Sequence, residues 1–222
     1  MLHVMIDLET WGTKPGCDIR SIGAVVFDPL TGMLGNDPES YFARGDTFYA
    51  ATENLRGIMR GPLKNEIPDK NGKVFVPIDD DECATYPLTR DPETVQWWND
   101  QTDNAKAAFE NPIDLKEACY NFGVWLGEIN GEATNMSDSG LRIWANDPHF
   151  DVSIFQAVYE AVKLPLPWHY RAPRSVRTVC DLAGFTKDDY CKFGELHNAL
   201  HDAIAQAMTV CKAYQRLGLA TE

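Results

Sequence analysis

Three places in the chain put carboxylates where the surrounding pattern calls for apolar or small residues. The first is Asp7 and Glu9, in the stretch MIDLETWGT near the start of the sequence. Residues two apart in a strand point to one face, so these acids would stand side by side and repel unless a cation lay between them. A strand ending at Ile6, with both acids in a solvated turn, would give the same letters, because Asp-x-Glu is too short to be specific. The second is Asp151, which follows the apolar run LRIWA (141–145) and the segment NDPHF, at the start of the next helical pattern. Asp is a preferred N-cap, and capping alone could account for it. The third is Asp202 in HNALHDAIAQA, beside an apolar stripe of Leu196, Leu200, Ala203, Ala207 and Cys211. His197 lies five positions earlier, near the expected helix start. A satisfied, partly buried Asp and a surface His are the ordinary reading of that pair.

Together these residues ask for a chemical explanation. Asp7, Glu9, Asp151 and Asp202 are four carboxylates, each at or near the end of an expected element. An oxygen-only ligand set suits hard cations such as Mg²⁺ or Mn²⁺ and not Zn²⁺. Two such ions about 4 Å apart could activate a water and stabilise the leaving oxygen in phosphodiester hydrolysis. A neighbouring imidazole could take the proton from that water. His197 and His201 are four apart and share a helix face, so spacing alone does not choose between them.

The elements that must position these residues are legible along the chain. LHVMIDLE and SIGAVVFDP read as strands, with Pro29 and Thr31-Gly32 supplying a turn, and ESYFAR as a third strand of an antiparallel meander. From about Gly45 to Arg90 the periodicity fails in a segment rich in Pro, Gly, Asn and Asp. It reads as an inserted loop or small subdomain, with KVFVPI as an isolated hairpin arm. The acid run DDDE (79–82) reads as a solvated loop. DPETVQWWNDQ opens a helix, with Asp91 as N-cap and Pro92 at the first position. DLKEACYNFGVWLGEI is helical by spacing, LRIWA is a buried strand, and DVSIFQAVYEAVKL and VRTVCDLAGF are helices. The last and longest helical pattern ends at Gly218. Strands followed by alternating helix and strand indicate a mixed α/β sheet with helices on its faces.

Composition bounds the partners. The 222 residues suit one large domain, or one carrying an insertion. Twenty Lys and Arg against 33 Asp and Glu leave a formal charge of −13. That excludes nucleic-acid binding through a broad basic face, though not an enzyme that gathers positive charge locally through bound metal. No apolar run is long enough to span a bilayer, no secretory leader is evident, and the six cysteines form no Cys-x-x-Cys pair. The expected setting is cytoplasmic, with reduced core thiols.

The sequence resembles the DEDDh branch of the DEDD 3′–5′ exonuclease superfamily, which has a ribonuclease-H-like fold. DLET looks like its first motif, Asp-x-Glu-Thr. ANDPHFD is similar to the second, Asn-x-x-x-Phe-Asp, with Asn146, Phe150 and Asp151 in register. HNALHDA looks like the third, His-x-Ala-x-x-Asp-Ala. The three occur in the family's order and span residues 7 to 202. RDPETVQWWNDQ further resembles the subgroup containing phage exonuclease A, exonuclease VIII-like enzymes and related bacterial exoribonucleases.

The resemblance implies a single 3′–5′ exonuclease domain over 1–222, a mixed sheet with helices on both faces, and an insertion at about 45–90. It makes Asp7, Glu9, Asp151 and Asp202 ligands of two Mg²⁺ or Mn²⁺ ions and His197 the general base. It sets Thr10, Trp11 and Asn146 near the terminal nucleotide, with Trp11 able to stack on a base or to pack at the strand end. The implied substrate is the 3′ end of single-stranded DNA or RNA, with DNA slightly favoured. Arg171, Arg174 and Arg177 are candidate phosphate contacts. The family usually has an acid where this chain has His201. The insertion could cover substrate or join two copies in a homodimer. The rival readings are an exoribonuclease, a non-catalytic nucleic-acid-binding module of the same fold, an internally cutting nuclease and a proofreading subunit.

Overall fold

The computed structural model describes residues 1–32, 46–54, 57–60, 74–77, 86–130 and 140–220. The central sheet has six strands: β1 (Leu2–Thr10), β2 (Ile19–Phe27), β3 (Thr47–Glu53), β6 (Ile113–Asp114), β7 (Leu141–Ala145) and β8 (Pro173–Ser175). Their order is β6-β3-β2-β1-β7-β8. β2 runs antiparallel to both β1 and β3, whereas β7 joins β1 and β8 joins β7 in parallel.

The helices are α1 (Pro92–Asn99), α2 (Asp103–Ala107), α3 (Leu115–Asn130), α4 (Asp151–Ala161), α5 (Val176–Leu182) and α6 (Ala199–Arg216). Two apolar cores explain their placement. Val4, Ile6 and Leu8 point to one face of β1 and pack with Phe122 of α3 and Phe155 of α4. Met5, Val25 and Phe27 face the other way, onto Val176 of α5 and Ala203, Ile204 and Ala207 of α6. Strand alternation therefore puts Asp7 and Glu9 on the α6 side of the sheet.

Two expectations meet a different structure. β1 does not stop at Ile6 but continues to Thr10. The segment expected as an insertion contains β3, a full member of the sheet; its sequence, TFYAATE, carries two alanines and so gives little alternating signal. The segment also contains β4 (Gly57–Arg60) and β5 (Val74–Pro77), an antiparallel pair, which makes the KVFVPI stretch a hairpin arm. At its far end the chain is tied back to the sheet: Asp18 donates its backbone N–H to Thr89, and Arg90 forms an ion pair with the fully buried Asp18 at 2.8 Å. The third expected strand, ESYFAR, and the DDDE run lie outside the described residues. Among the described residues, no helix is long and apolar enough to cross a membrane.

Candidate active site

The site begins at the C-terminal end of β1, where Asp7 is partly and Glu9 almost fully buried. Across the strand pair Asp7 faces Gly23 and Glu9 faces Ser21. Gly23 admits the last helix. A Cβ there would come within 2.1 Å of the Ala199 carbonyl carbon and 2.2 Å of the Leu200 nitrogen. The first turn of α6 thus lies directly on β2, opposite Asp7, and delivers Asp202 to the acids of β1. Asn198 caps that turn, accepting from the N–H groups of Leu200 and His201.

Asp151 arrives from the other side, at the first helical residue of α4. It does not cap its own helix: Phe150 is the N-cap residue and makes no side-chain cap bond. The Asp151 carboxylate instead accepts the N–H of Leu8 at 3.3 Å, while the residue is only 3% exposed. Asp202 accepts the backbone N–H of His197 at 3.0 Å. That contact helps hold His197 at φ 63, a left-handed conformation that costs a non-glycine residue about 1–3 kcal/mol. The His197 ring meets the edges or faces of Trp97 and Trp98 at 4.9 and 6.1 Å between centroids, both nearly perpendicular. Ligand atoms of Glu9, His197 and Asp202 all lie within 4.8 Å of one another.

The two histidines separate clearly. His201 Nδ1 accepts the N–H of Glu195 at 3.0 Å, and its ring packs on Phe193. Gly194, at φ 55, lets the loop press so close that a Cβ would sit 2.5 Å from that same nitrogen. His201 pins the loop, and His197 joins the acids. Leu196, placed by spacing in the apolar stripe, precedes the helix and is 68% exposed.

Four acids gathered here resist ionisation. Burial, reinforced by Asp151, Glu9 and Asp202, pushes Asp7 well above the usual carboxylate range. Burial followed by Asp202 and Asp151 pushes Glu9 up to about 8, with Arg20 opposing. Burial raises Asp151 to about 7 and raises Asp202 as well. A multivalent cation would relieve this repulsion, and a set of carboxylates suits a hard divalent one. The residues present fit a divalent metal.

Beside the acids is a cleft of about 370 Å³, lined by Leu8, Glu9, Thr10, Gly12, Trp97 and Phe150 among others. The adjacent tryptophans divide as their helix positions require: Trp98 is buried and donates its Nε1–H to the Thr10 carbonyl, while Trp97 is 43% exposed. Thr10 lines the cleft, its hydroxyl donating to the Gly12 carbonyl at 2.6 Å. Trp11 does not line it, because its ring is taken up by the guanidinium groups of Arg20 and Arg90, at 4.4 and 4.6 Å from the centroid. Asn146 directly follows β7, and its carbonyl accepts the N–H of Arg177. Arg177 also pairs with Asp147 at 3.3 Å, whereas Arg171 and Arg174 donate to Tyr170 and to local carbonyls.

Two further residues were not singled out from the sequence. Arg20 sits at the irregularity where β1 and β2 shift register between Glu9 and Thr10, a bulge that turns an extra side chain toward the acids. Its guanidinium lies over Phe109 at 3.7 Å and Trp98 at 4.2 Å. Gln206 donates Nε2–H to Asp7 Oδ1 at 2.7 Å. A register shift or a tertiary hydrogen bond leaves no mark in periodicity. The Gly in SIGAVVF was the one legible trace of the close approach of α6.

A mixed sheet covered on both faces, with acids from its first strand and from two helices meeting at one end, has a ribonuclease-H-like α/β architecture. The chain belongs to the Rv2179c-like 3′–5′ exoribonuclease domain family, which it matches over residues 2–214. Among solved structures it is similar to cell-death related nuclease 4 (CRN-4), with a TM-score of 0.55 at 12% identity. That alignment covers 98% of this chain and 64% of CRN-4, and the likeness is one of fold. The nuclease domain of 3′hExo, a DEDDh family member bound to rAMP, aligns with a TM-score of 0.46 at 11% identity, over 96% of this chain and 92% of that one. No curated protein sequence matches the chain.

Proposed function

We propose that this chain is a 3′–5′ exonuclease of single-stranded nucleic acid that releases nucleoside 5′-monophosphates from a 3′ end, with RNA as its better substrate. The observation that carries the reading is the meeting of Asp7, Glu9, Asp151 and Asp202 with one imidazole beside an aromatic-walled cleft. The family's description as exoribonucleases supports ribose over the slight lean to DNA that the phage exonuclease A resemblance suggests.

Asp7, Glu9, Asp151 and Asp202 would hold two Mg²⁺ or Mn²⁺ ions, which when bound supply the Lewis acidity that activates water and neutralises the leaving oxygen. The chain's own residues do the rest. His197 accepts the proton of the attacking water on a ring nitrogen; its backbone tie to Asp202 and its contacts with Trp97 and Trp98 hold the ring at the acids. Trp97, the exposed aromatic of the cleft, takes the stacking role the sequence suggested for Trp11; such a contact is worth about 1–3 kcal/mol per base and tolerates any sequence. Arg20 offers the acids a fixed positive charge held by aromatic rings. With a net charge of −13, grip on long duplexes is weak and binding is confined to a strand end. The chain acts as a single domain.

The test is a time course on 5′-labelled RNA and DNA of one sequence, with a closed single-stranded circle alongside, in Mn²⁺ and in EDTA. A metal-dependent ladder shortening from the 3′ end, faster on RNA, with the circle intact, is expected. A cut circle would replace the exonuclease with an internally cutting enzyme, and a faster DNA ladder would reverse the sugar assignment.

A further inference from the structure

Gln206 stands one helical turn after Asp202 on α6, so the two side chains share a face of that helix. From there it reaches across to β1 and donates Nε2–H to Asp7 Oδ1 at 2.7 Å. Among the described residues, the other hydrogen bonds to the four acids come from backbone, the N–H of Leu8 to Asp151 and of His197 to Asp202. Among the described residues, Gln206 is the one side chain that hydrogen-bonds a member of the cluster. Its other amide atom, Oε1, is buried and has no partner. The surroundings therefore make no use of the acceptor end, and only the donor end is engaged. The reverse orientation would put Oε1 against a carboxylate oxygen.

We propose that Gln206 is the positioning residue of the centre: its amide fixes Asp7 Oδ1 and leaves Oδ2 as the oxygen that binds the cation. The inference rests on the metal reading above. The residue type follows from the chemistry. An ammonium at this place would orient Asp7 equally well but would repel the cation. An amide donates the same bond with no net charge. A carboxylate ligand that keeps its rotamer binds metal more tightly than one that must be ordered on binding, and loss of such an outer contact typically weakens affinity or activity about 10–100-fold.

The test measures Mn²⁺ binding to the whole chain by calorimetry and by loss of the free-ion EPR signal, with no nucleic acid present. The proteins compared are wild type, Gln206→Met, Gln206→Asn and, as control, Asp7→Asn. Met keeps the length and helix preference of Gln without a donor; Asn keeps the amide but withdraws it by one methylene. Both should bind Mn²⁺ about 10–100-fold more weakly than wild type. Their kcat on a 5′-labelled strand should fall at limiting Mn²⁺ and recover at high Mn²⁺, with KM for the strand unchanged. Wild-type Mn²⁺ affinity in both variants, with Asp7→Asn impaired, would overturn the assignment of Gln206 and leave the metal centre standing. So would a lowered melting temperature with unchanged affinity, the mark of a merely structural contact. If Gln206→Met fails to fold, Gln206→Asn alone decides. A wild type that binds no Mn²⁺ would overturn the metal reading, and this inference with it.

Discussion

Glu9→Gln should make the metal-free protein more stable at neutral pH while abolishing its nuclease activity. Glu9 titrates at 4.5 in an unfolded chain and near 8 in the folded one, through burial and then the charges of Asp202 and Asp151. A carboxyl whose folded value lies above its unfolded value holds more protons folded than unfolded. Its contribution is therefore most favourable below pH 4.5 and declines as pH climbs toward 8. At pH 7.5 the unfolded state has gained the full benefit of ionisation over three units. At about 1.36 kcal/mol each, that is about 4 kcal/mol lost relative to pH 4. Glutamine escapes this loss but leaves an amide to be desolvated, at about 1–3 kcal/mol, so the net gain is about 1–3 kcal/mol. For a chain of this size that is a rise of roughly 3–10 °C in melting temperature. The assay is thermal unfolding in EDTA at pH 5 and pH 7.5, repeated with saturating Mn²⁺. Wild type should melt lower at pH 7.5 than at pH 5 in EDTA, and the variant should fall less. With Mn²⁺ the order should invert, since a ligand at 1,000 times its Kd adds about 4.1 kcal/mol to the protein that can bind it. A variant no more stable than wild type in EDTA at pH 7.5 would refute the reasoning.

Gly23→Ala should destabilise the protein by about 1–3 kcal/mol or more and cut activity, because its methyl group must displace the first turn of α6 and carry Asp202 with it; urea unfolding and Mn²⁺ affinity measured together would show both losses. Arg90→Met leaves the buried Asp18 without its half-exposed ion-pair partner but with the Ile19 N–H still bonded, so a loss of about 1–3 kcal/mol in the same unfolding assay is expected, with kcat in the folded protein close to normal. His197→Ala should lower kcat about 10²–10⁴-fold, and single-turnover kinetics should place that loss in the chemical step.

Much of this site could be read from letters because its ligands sit at the ends of regular elements. Asp7 and Glu9 share a face by strand alternation, and Asp202 interrupts a helix of small residues. The capping explanation for Asp151 fails for a reason no local pattern carries: its carboxylate is taken by the Leu8 N–H, 143 positions away in sequence. Trp11 stands outside the cleft for the same reason. The Trp11 ring is claimed by Arg20 and Arg90, and only the packing of α1 against β1 shows which of the paired tryptophans stays exposed. β3 escaped notice because alanines replace the β-branched residues that mark a strand.

The central claim is that four carboxylates from β1, α4 and α6 form one metal centre. Anomalous diffraction from crystals of the protein soaked in Mn²⁺ tests it most directly. The expected result is anomalous density bounded by Asp7, Glu9, Asp151 and Asp202, and its loss in Asp7→Asn. Density elsewhere, or none at this site under conditions where the protein shortens a strand in an Mn²⁺-dependent way, would contradict it.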